Sequence, residues 1–291
     1  MDTRFLESFV AVVEFGSIAE AGRRLNVTPA GIAQRVRVLE EEFGTSLIAR
    51  MGRRVQPTEA GMAVFAKART LLHGIHSLRQ VALDGTHAGE LRLGAVSTAM
   101  TGILPRVLSG LSASHPNVNV FVAPGTSMDL YDRVLQGELD AAIIVAPPFR
   151  MPKFCDWHLI RTEPLILIRP KDLPDADPRT LLMKQPFIRY DRNHWGGRLA
   201  ETYLRVSRIV PVERFELDAL EAIAVMVDSG LGVSLVPDWA PPWPAGINIG
   251  RTVIPNPEFS REIGMVWLRS SASLRVIGAF LERVATVNAQ D

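Results

Sequence analysis

The cationic side chains of the first sixty residues are all arginines, and all but Arg4 fall in two groups. Between positions 23 and 37, and again between 50 and 54, every charged side chain is positive. A guanidinium donates paired hydrogen bonds to phosphate oxygens and to guanine edges, so this clustering indicates contact with nucleic acid. The whole chain has a net charge of only +1, so it is the distribution of charge, not its sum, that favours DNA.

Three short helices are predicted to position these arginines. Apolar residues at positions 6, 9, 10 and 13 share one helical face, which ends near Gly16. Ser17 and Glu20 form a capping box that begins a second helix. Thr28 and Pro29 are the N-cap and first residue of a third. Two short helices joined by a tight turn predict a helix-turn-helix.

The third helix and a hairpin after it hold the candidate DNA contacts. Small residues let the helix approach the floor of a major groove, while Gln34 and Arg37 read base edges or hold phosphates. Residues 46–56 predict a hairpin wing with arginines at its tip. The alternative is a small helical interaction domain with a solvated arginine face. The candidate residues are Thr28, Pro29, Ala30, Ala33, Gln34, Arg37, Arg50, Arg53 and Arg54.

A long helix is predicted from about Glu59 to about Leu83, capped by Thr58 and followed by a hinge at 84–89. Its apolar residues repeat with the spacing of a coiled coil, so the helix requires a partner and predicts a homodimer. The seam consists of Val64, Ala68, Leu71, Ile75, Leu78 and Ala82.

From residue 90 onward, strand-like and helix-like runs alternate, which predicts an α/β fold with a mostly parallel sheet. Interruptions at 147–157 and 237–259 divide this region into two lobes with two crossings. We therefore predict a DNA-binding domain at 1–58, a linker at 59–89 and an effector-binding domain at 90–291. Lobe I comprises about 90–162 and 268–291, and lobe II about 163–267.

Ligands of open α/β sheets lie beyond the carboxyl ends of the strands. Hydroxyls and free N–H groups at helix starts there favour an anion, so we expect a small carboxylate effector. Helix capping is the alternative for the Ser and Thr residues, core packing the alternative for Trp195, and a neutral apolar effector the competing ligand. The candidate residues are Ser97, Thr98, Thr101, Thr126, Ser127, Tyr190, His194, Trp195, Val233 and Ser234.

The sequence gives little support to an enzyme. It holds none of the nucleophile-elbow, zinc-protease, P-loop or dinucleotide-binding motifs. The single cysteine, Cys155, excludes an intrachain disulfide and a Cys-based zinc site, and a dyad with His158 has no third member. We predict no catalytic residue, no cofactor and no metal. The absence of a membrane-length apolar run and of a signal peptide predicts a cytoplasmic protein.

Four N-terminal segments resemble the DNA-binding region of LysR-type transcriptional regulators: Phe9–Leu25, Val27–Ala30, Arg37–Gly44 and Arg53–Gly61. Ala33 departs from the family's usual serine, so one hydroxyl contact to DNA is missing, and Ile48 replaces a usual phenylalanine. Weaker matches to the family's effector-binding region, which is shaped like a periplasmic binding protein, lie at Gly94–Ala95, Leu104–Pro105, Gly137–Ile143 and Gly230–Pro237.

The resemblance implies a bacterial, ligand-responsive DNA-binding regulator. It also implies a homotetramer built as a dimer of dimers and a small molecule in the cleft between the lobes. The alternatives are a solute-binding protein without DNA function and, less favoured, a dimeric enzyme with an accessory DNA head.

Overall fold

A computed structural model describes residues 2–51, 54–82, 89–174, 176–254 and 258–289. They fall into two compact units that separate near residue 85. None of the described helices combines the length and the apolar character that crossing a bilayer requires.

The N-terminal unit is a helix-turn-helix with a hairpin wing, followed by a long helix, as the sequence predicts. Its elements are α1 Thr3–Phe15, α2 Ile18–Leu25, α3 Pro29–Phe43, β1 Ile48–Met51, β2 Arg54–Pro57 and α4 Glu59–Ala82. The three short helices enclose a core around Phe9, Ile32 and Leu39, which are fully buried.

Side-chain caps fix where α2 and α3 begin. Ser17 Oγ accepts a hydrogen bond from the Glu20 amide at 3.3 Å, and Thr28 Oγ1 accepts one from the Gly31 amide at 3.1 Å. The turn between the two helices is tight, because a Cβ on Gly22 would lie 2.6 Å from the Val27 carbonyl oxygen. Only glycine fits there, so this position sets the angle of the helix-turn-helix.

The wing is anchored to the helices on both of its strands. Glu40 Oε1 accepts hydrogen bonds from the amides of Leu47 at 2.7 Å and Ile48 at 3.1 Å. On the other strand, the Val55 amide donates to the Gly16 carbonyl at 3.0 Å. The Glu40 carboxylate thus holds the start of the first wing strand against α3.

The first turns of α4 pack within their own unit, which corrects part of the predicted seam. Ala68 is buried in the core of the helix-turn-helix, and Val64 packs against that core. The reason is that α4 contacts α1, so this part of the apolar stripe is covered within the same unit. Leu71 remains 45% exposed, Ile75 is half-buried, and the side chains of Leu78 and Ala82 lie outside the described residues.

The larger unit alternates strands and helices. Its elements are β3 Gly89–Ala95, α5 Ser97–Gly102, α6 Leu104–Ser114, β4 Val118–Pro124, α7 Ser127–Leu135, β5 Ala141–Val145, β6 Cys155–Pro170, α8 Pro178–Lys184, β7 Pro186–Tyr190, α9 Trp195–Val206, β8 Val212–Leu217, α10 Leu220–Asp228, β9 Ser234–Pro237, β10 Ile249–Val253, β11 Ser260–Leu268 and α11 Leu274–Asn288. Of these, α5, α8, β10 and the first half of β6 were not predicted.

The strands form two lobes that share the long strand β6. In lobe I the order is β4-β3-β5-β11-β6, and in lobe II the far half of β6 pairs with β9 and β10. Strands β7 and β8 pair in parallel, and Phe187 bridges Val233 beside β9. The two lobes and two crossings are as predicted from the sequence.

Two details of the predicted topology are wrong. The sheet is mixed, because β6 and β11 run antiparallel to their neighbours, whereas a mostly parallel sheet was expected. Strand β11 pairs with β5, so residues 260–267 belong to lobe I and the chain returns from lobe II before Ser260. Both differences have one cause: β6 and β11 cross between the lobes side by side.

Candidate functional site

The exposed face of α3 carries the predicted groove-reading residues. Pro29, Ala30, Gln34 and Arg37 are exposed, and Ala33 is half-buried between them. Thr28 is also exposed, but its hydroxyl caps the helix at the Gly31 amide. Among the described residues, Gln34 and Arg37 have no hydrogen-bond or ion-pair partner, so their donors are available to a ligand.

The wing arginines are only partly described. The backbones of Arg50 and Arg54 lie in β1 and β2, where Arg50 pairs with Val55 and Met51 pairs with Arg54. Their side chains, and the whole of Arg53, lie outside the described residues. The hairpin register places the backbones of Arg50 and Arg54 beside its turn.

The larger unit contains a cavity of about 470 Å³ between its two lobes, where β3, β4, β7 and β8 end. Its walls come from the loops and helix starts that follow those strands, as the strand-end rule predicts. It is lined by Val96, Ser97, Thr98, Met100, Pro124, Gly125, Thr126, Ser127, Met128, Val145, Tyr190, Asn193, His194, Trp195, Gly196, Asp218, Ala219, Leu220 and Arg261.

Seven of the ten candidate effector residues line this cavity: Ser97, Thr98, Thr126, Ser127, Tyr190, His194 and Trp195. Two of their hydroxyls also serve the backbone. Thr126 Oγ1 accepts from the Asp129 amide at 3.2 Å, and Ser127 Oγ accepts from the Val145 amide at 3.1 Å. The capping alternative therefore holds for Thr126, whose hydroxyl completes the first turn of α7.

Three candidates do not line the cavity. Thr101 is exposed and its hydroxyl donates back to the carbonyls of α5. Val233 and Ser234 are fully buried in lobe II, and Ser234 Oγ donates to the Ile188 carbonyl at 2.6 Å. The physical reason is direction: these two residues precede or begin β9 and do not follow it, so they lie away from the strand ends that form the cavity.

A buried arginine that the sequence did not predict lies at the floor of the cavity. Arg261, on β11, is 4% exposed, and its Nε donates to Glu163 Oε2 at 2.8 Å. Its Nη2 donates to Glu163 and, at 3.1 Å, to Thr98 Oγ1. Glu163 is also buried, and its Oε1 accepts from the Ala240 amide at 3.2 Å. No local signal joins Glu163 to Arg261, because 98 residues separate them.

Arg261 also reaches lobe II through Tyr190. Burial raises the pKa of the Tyr190 hydroxyl, while the charge of Arg261 and a hydrogen bond with it act in the opposite direction. Thr98 belongs to α5 of lobe I and Tyr190 to β7 of lobe II, and both line the cavity with Arg261. The guanidinium is therefore hydrogen-bonded to the wall in lobe I and acts electrostatically on the wall in lobe II.

An aromatic cluster closes one side of the cavity. Trp195 packs edge-on against Tyr131 at 5.9 Å and Phe149 at 5.6 Å between ring centroids. Trp195 is 9% exposed, which agrees with the core-packing alternative, although part of it also lines the cavity. Because Trp195 starts α9 of lobe II and Tyr131 lies on α7 of lobe I, the cluster packs the two lobes together.

The loop that carries Asn193 and His194 is held by ion pairs. Arg192 donates from its backbone amide at 3.2 Å and from Nε at 2.9 Å to Glu216 Oε1 on β8. These hydrogen bonds lower the pKa of the Glu216 carboxyl below its usual range. On the preceding strand, β7, the buried side chain of Arg189 forms ion pairs with Glu201 and Glu213. The cavity wall in lobe II is thus fixed to β7 and β8.

The described residues hold no group of three or more His, Cys, Asp or Glu side chains placed to bind a metal ion. Cys155 begins β6 and is buried in the core of lobe I, where burial raises the pKa of its thiol. It therefore contributes packing in lobe I.

A winged helix-turn-helix in one chain with a two-lobed domain around a cavity defines the class of ligand-responsive DNA-binding regulators. Residues 84–289 match the family described as LysR substrate binding domain, and residues 3–62 match the bacterial regulatory helix-turn-helix protein, lysR family.

Individual relatives and structures agree with these matches. The chain is 30% identical over 241 residues to the HTH-type transcriptional regulator CzcR of Bacillus anthracis, covering 82% of this chain and 81% of that one. It is 27% identical over 282 residues to the hydrogen peroxide-inducible genes activator of Haemophilus influenzae, covering 94% and 93%.

Two solved structures share the fold over nearly their whole length. A full-length OxyR variant from Pseudomonas aeruginosa has a TM-score of 0.70 and 24% identity, covering 98% of this chain and 94% of that one. Full-length CbnR in complex with its target DNA has a TM-score of 0.72 and 22% identity, covering 98% and 99%. The chain belongs to the LysR family, and it is a DNA-binding transcriptional regulator with an effector-binding domain.

The contribution of the Arg261–Glu163 pair to the stability of the two strands that cross between the lobes can be tested by substitution. Arg261→Met removes the buried partner of Glu163 and leaves this carboxylate only the Ala240 amide at 3.2 Å and the more distant Arg161 at 3.6 Å. It should lower the free energy of unfolding of the larger unit by up to about 3–5 kcal/mol, whereas adding Glu163→Leu should restore most of it. Urea unfolding followed by tryptophan fluorescence reports this unit, since all 5 tryptophans lie in it.

The exposed pair Arg269–Asp156, at 2.8 Å, supplies the matched control. Arg269→Met should cost less than about 1 kcal/mol. An Arg261→Met variant no less stable than Arg269→Met would contradict the structural role given to the buried pair.

Proposed function

We propose that this regulator binds double-stranded DNA through α3 and its wing. The proposed contacts are Thr28, Pro29, Ala30, Ala33, Gln34, Arg37, Arg50, Arg53 and Arg54. The exposed, unpartnered donors of Gln34 and Arg37 on a helix that begins with small residues carry this proposal. Such a helix fits the major groove, where side-chain donors read base edges.

We further propose that a small-molecule effector binds in the cavity between the lobes. Polar groups from both lobes converge there on a mostly apolar enclosure, which is the usual make-up of a small-molecule site. The start of α7, at Ser127, and the Arg261 guanidinium favour a carboxylate on the ligand. The proposed contacts are Ser97, Thr98, Thr126, Ser127, Tyr190, His194, Trp195 and Arg261.

The proposed assembly is a homodimer through α4, with two dimers forming a tetramer. The exposed Leu71 and half-buried Ile75 support a helix face left for a partner. We propose the domain limits 1–58, 59–89 and 90–291, a cytoplasmic location and no catalytic activity. The two named relatives are a transcriptional regulator and a gene activator, which supports the last point.

The DNA interface predicts two distinguishable variants. Gln34→Ala should relax base discrimination at one position by about 1–3 kcal/mol. Arg53→Ala, in the wing, should weaken all DNA about equally and reduce the salt slope by about one. Titrations at several salt concentrations, with a site selected from a random DNA pool and with random DNA, measure both effects.

Arg275→Ala is the control for lost charge, because Arg275 is exposed on α11 of the effector domain. It should leave both DNA affinities unchanged. If Gln34→Ala lowered the affinity for the selected site and for random DNA equally, α3 would not lie in the groove as proposed.

The α4 face predicts the oligomeric state. Leu71→Asp with Ile75→Asp would bury carboxylates against an apolar partner, at a cost on the order of several kcal/mol. Sedimentation velocity should then show smaller species. Met62→Asp is the control, since Met62 is 54% exposed and lies about half a turn around the helix from Leu71. An unchanged size of the double variant would mean that assembly uses another surface.

The cavity predicts the effect of a single hydroxyl. Thr98→Val removes the acceptor of Arg261 and the hydroxyl that faces the ligand, so a carboxylate effector should bind more weakly while DNA binding without effector is nearly intact. Thr98→Ser should restore ligand affinity. Thermal shift identifies the ligand, because a saturating one at about 100 times its Kd adds about 2.7 kcal/mol of stability. If Thr98→Val instead lost DNA binding and kept its ligand affinity, the Thr98 hydroxyl would be a structural cap and not part of the ligand site.

A further inference from the structure

The cavity between the lobes is lined by one cationic and one anionic side chain, apart from His194. Arg261 is the cation, at the floor, and Asp218 is the anion, in the loop between β8 and α10. Both lie near Tyr190, because Arg261 lowers the pKa of its hydroxyl and Asp218 raises it. The two charges therefore lie around one tyrosine and face the same enclosed volume.

The charge of Arg261 is already balanced by Glu163 behind it, where Oε2 accepts from Nε at 2.8 Å. The charge of Asp218 is not balanced in this way. Its side chain is 60% exposed, and among the described residues its one ion-pair contact is His194 Nε2, at the long distance of 4.0 Å. A ligand that carried only negative charge would bring a second anion towards this free carboxylate.

Asp218 does not cap the helix that follows it. Helix α10 begins at Leu220 with Ala219 as its N-cap, and no side chain makes a capping hydrogen bond there. The neighbouring acid Asp191 is used differently, because its Oδ1 accepts from both the amide and the side chain of Asn193 at 2.8 and 3.0 Å. Of these two acids, Asp218 is the one whose oxygens remain available to a donor in the cavity.

We propose that the effector is a zwitterion of the amino-acid type. Its carboxylate lies towards Arg261, Thr98 and the start of α7, and its ammonium group donates to Asp218. Met100, Met128 and Leu220, which also line the cavity, provide an apolar surface for the remainder of the molecule. This inference rests on the proposed effector cavity and names the chemical class that the cavity takes.

The test uses the full-length protein and defined probes. The common L-amino acids are screened by thermal shift, and the dissociation constant of each one that stabilises the protein is measured by calorimetry. Each of these is then compared with its N-acetyl derivative, which lacks the ammonium charge, and with its carboxamide, which lacks the carboxylate. At least one L-amino acid should bind, and both derivatives should bind about tenfold more weakly or worse, as expected for a lost charge-assisted hydrogen bond.

Two variants assign the ammonium contact. Asp218→Asn should weaken the amino acid about tenfold and leave its N-acetyl derivative unaffected. Glu221→Gln is the control, because Glu221 is in the first turn of the same helix but does not line the cavity. It should change neither affinity.

The outcomes separate this inference from the proposal on which it rests. If no L-amino acid binds, or if the N-acetyl derivative binds as well as the parent, the zwitterion assignment is wrong. A carboxylate probe that is weakened by Thr98→Val would then still support the cavity. If an amino acid binds and neither Asp218→Asn nor Thr98→Val affects it, the ligand lies elsewhere and the proposed effector cavity itself is wrong.

Discussion

The ion pair between Arg261 and Glu163 is the interaction on which the effector domain depends. It joins β11 to β6, the two strands that run side by side from one lobe to the other. Both side chains are almost completely buried, so their charges and hydrogen bonds must be satisfied within the protein. Thr98 from lobe I accepts a hydrogen bond from this guanidinium, and Tyr190 from lobe II lies close enough for the same charge to lower the pKa of its hydroxyl. The floor of the cavity and the positions of its two walls therefore follow from one buried pair.

This arrangement explains how a ligand could act on the domain. A ligand shifts a conformational equilibrium only if it binds one arrangement of the lobes better than another. Groups from both lobes line one cavity, so a molecule that contacts both walls distinguishes lobes held together from lobes held apart. The Trp195–Tyr131–Phe149 cluster packs across the same cavity and adds an apolar contribution. DNA recognition, by contrast, depends on a separate compact unit, whose helix-turn-helix is fixed by its own caps and core.

Local signals made the DNA-binding unit predictable, and long-range pairing made the cavity floor unpredictable. Thr28, Pro29 and Gly44 mark the ends of α3 through chemistry that acts within a few residues. Arg261 gives no comparable signal, because its partners Glu163 and Thr98 are distant in the chain. Thr98 and Tyr190 lie at or just beyond the ends of their strands and line the cavity, as the strand-end rule predicts. Val233 does not line it, because this residue precedes its strand. Val64 and Ala68 show the same limit, since an apolar stripe does not identify which partner will cover it.

The central claim is that occupation of the cavity at Arg261 changes DNA affinity. The most direct measurement is the affinity of the full-length protein for a DNA site that it selects from a random pool, with and without a small molecule that stabilises the effector domain. We expect a selected site in two related halves. We also expect the ligand to change the affinity for that site severalfold and to leave the affinity for random DNA unchanged. Failure to enrich any sequence, or an affinity for the selected site that saturating ligand does not alter, would contradict it.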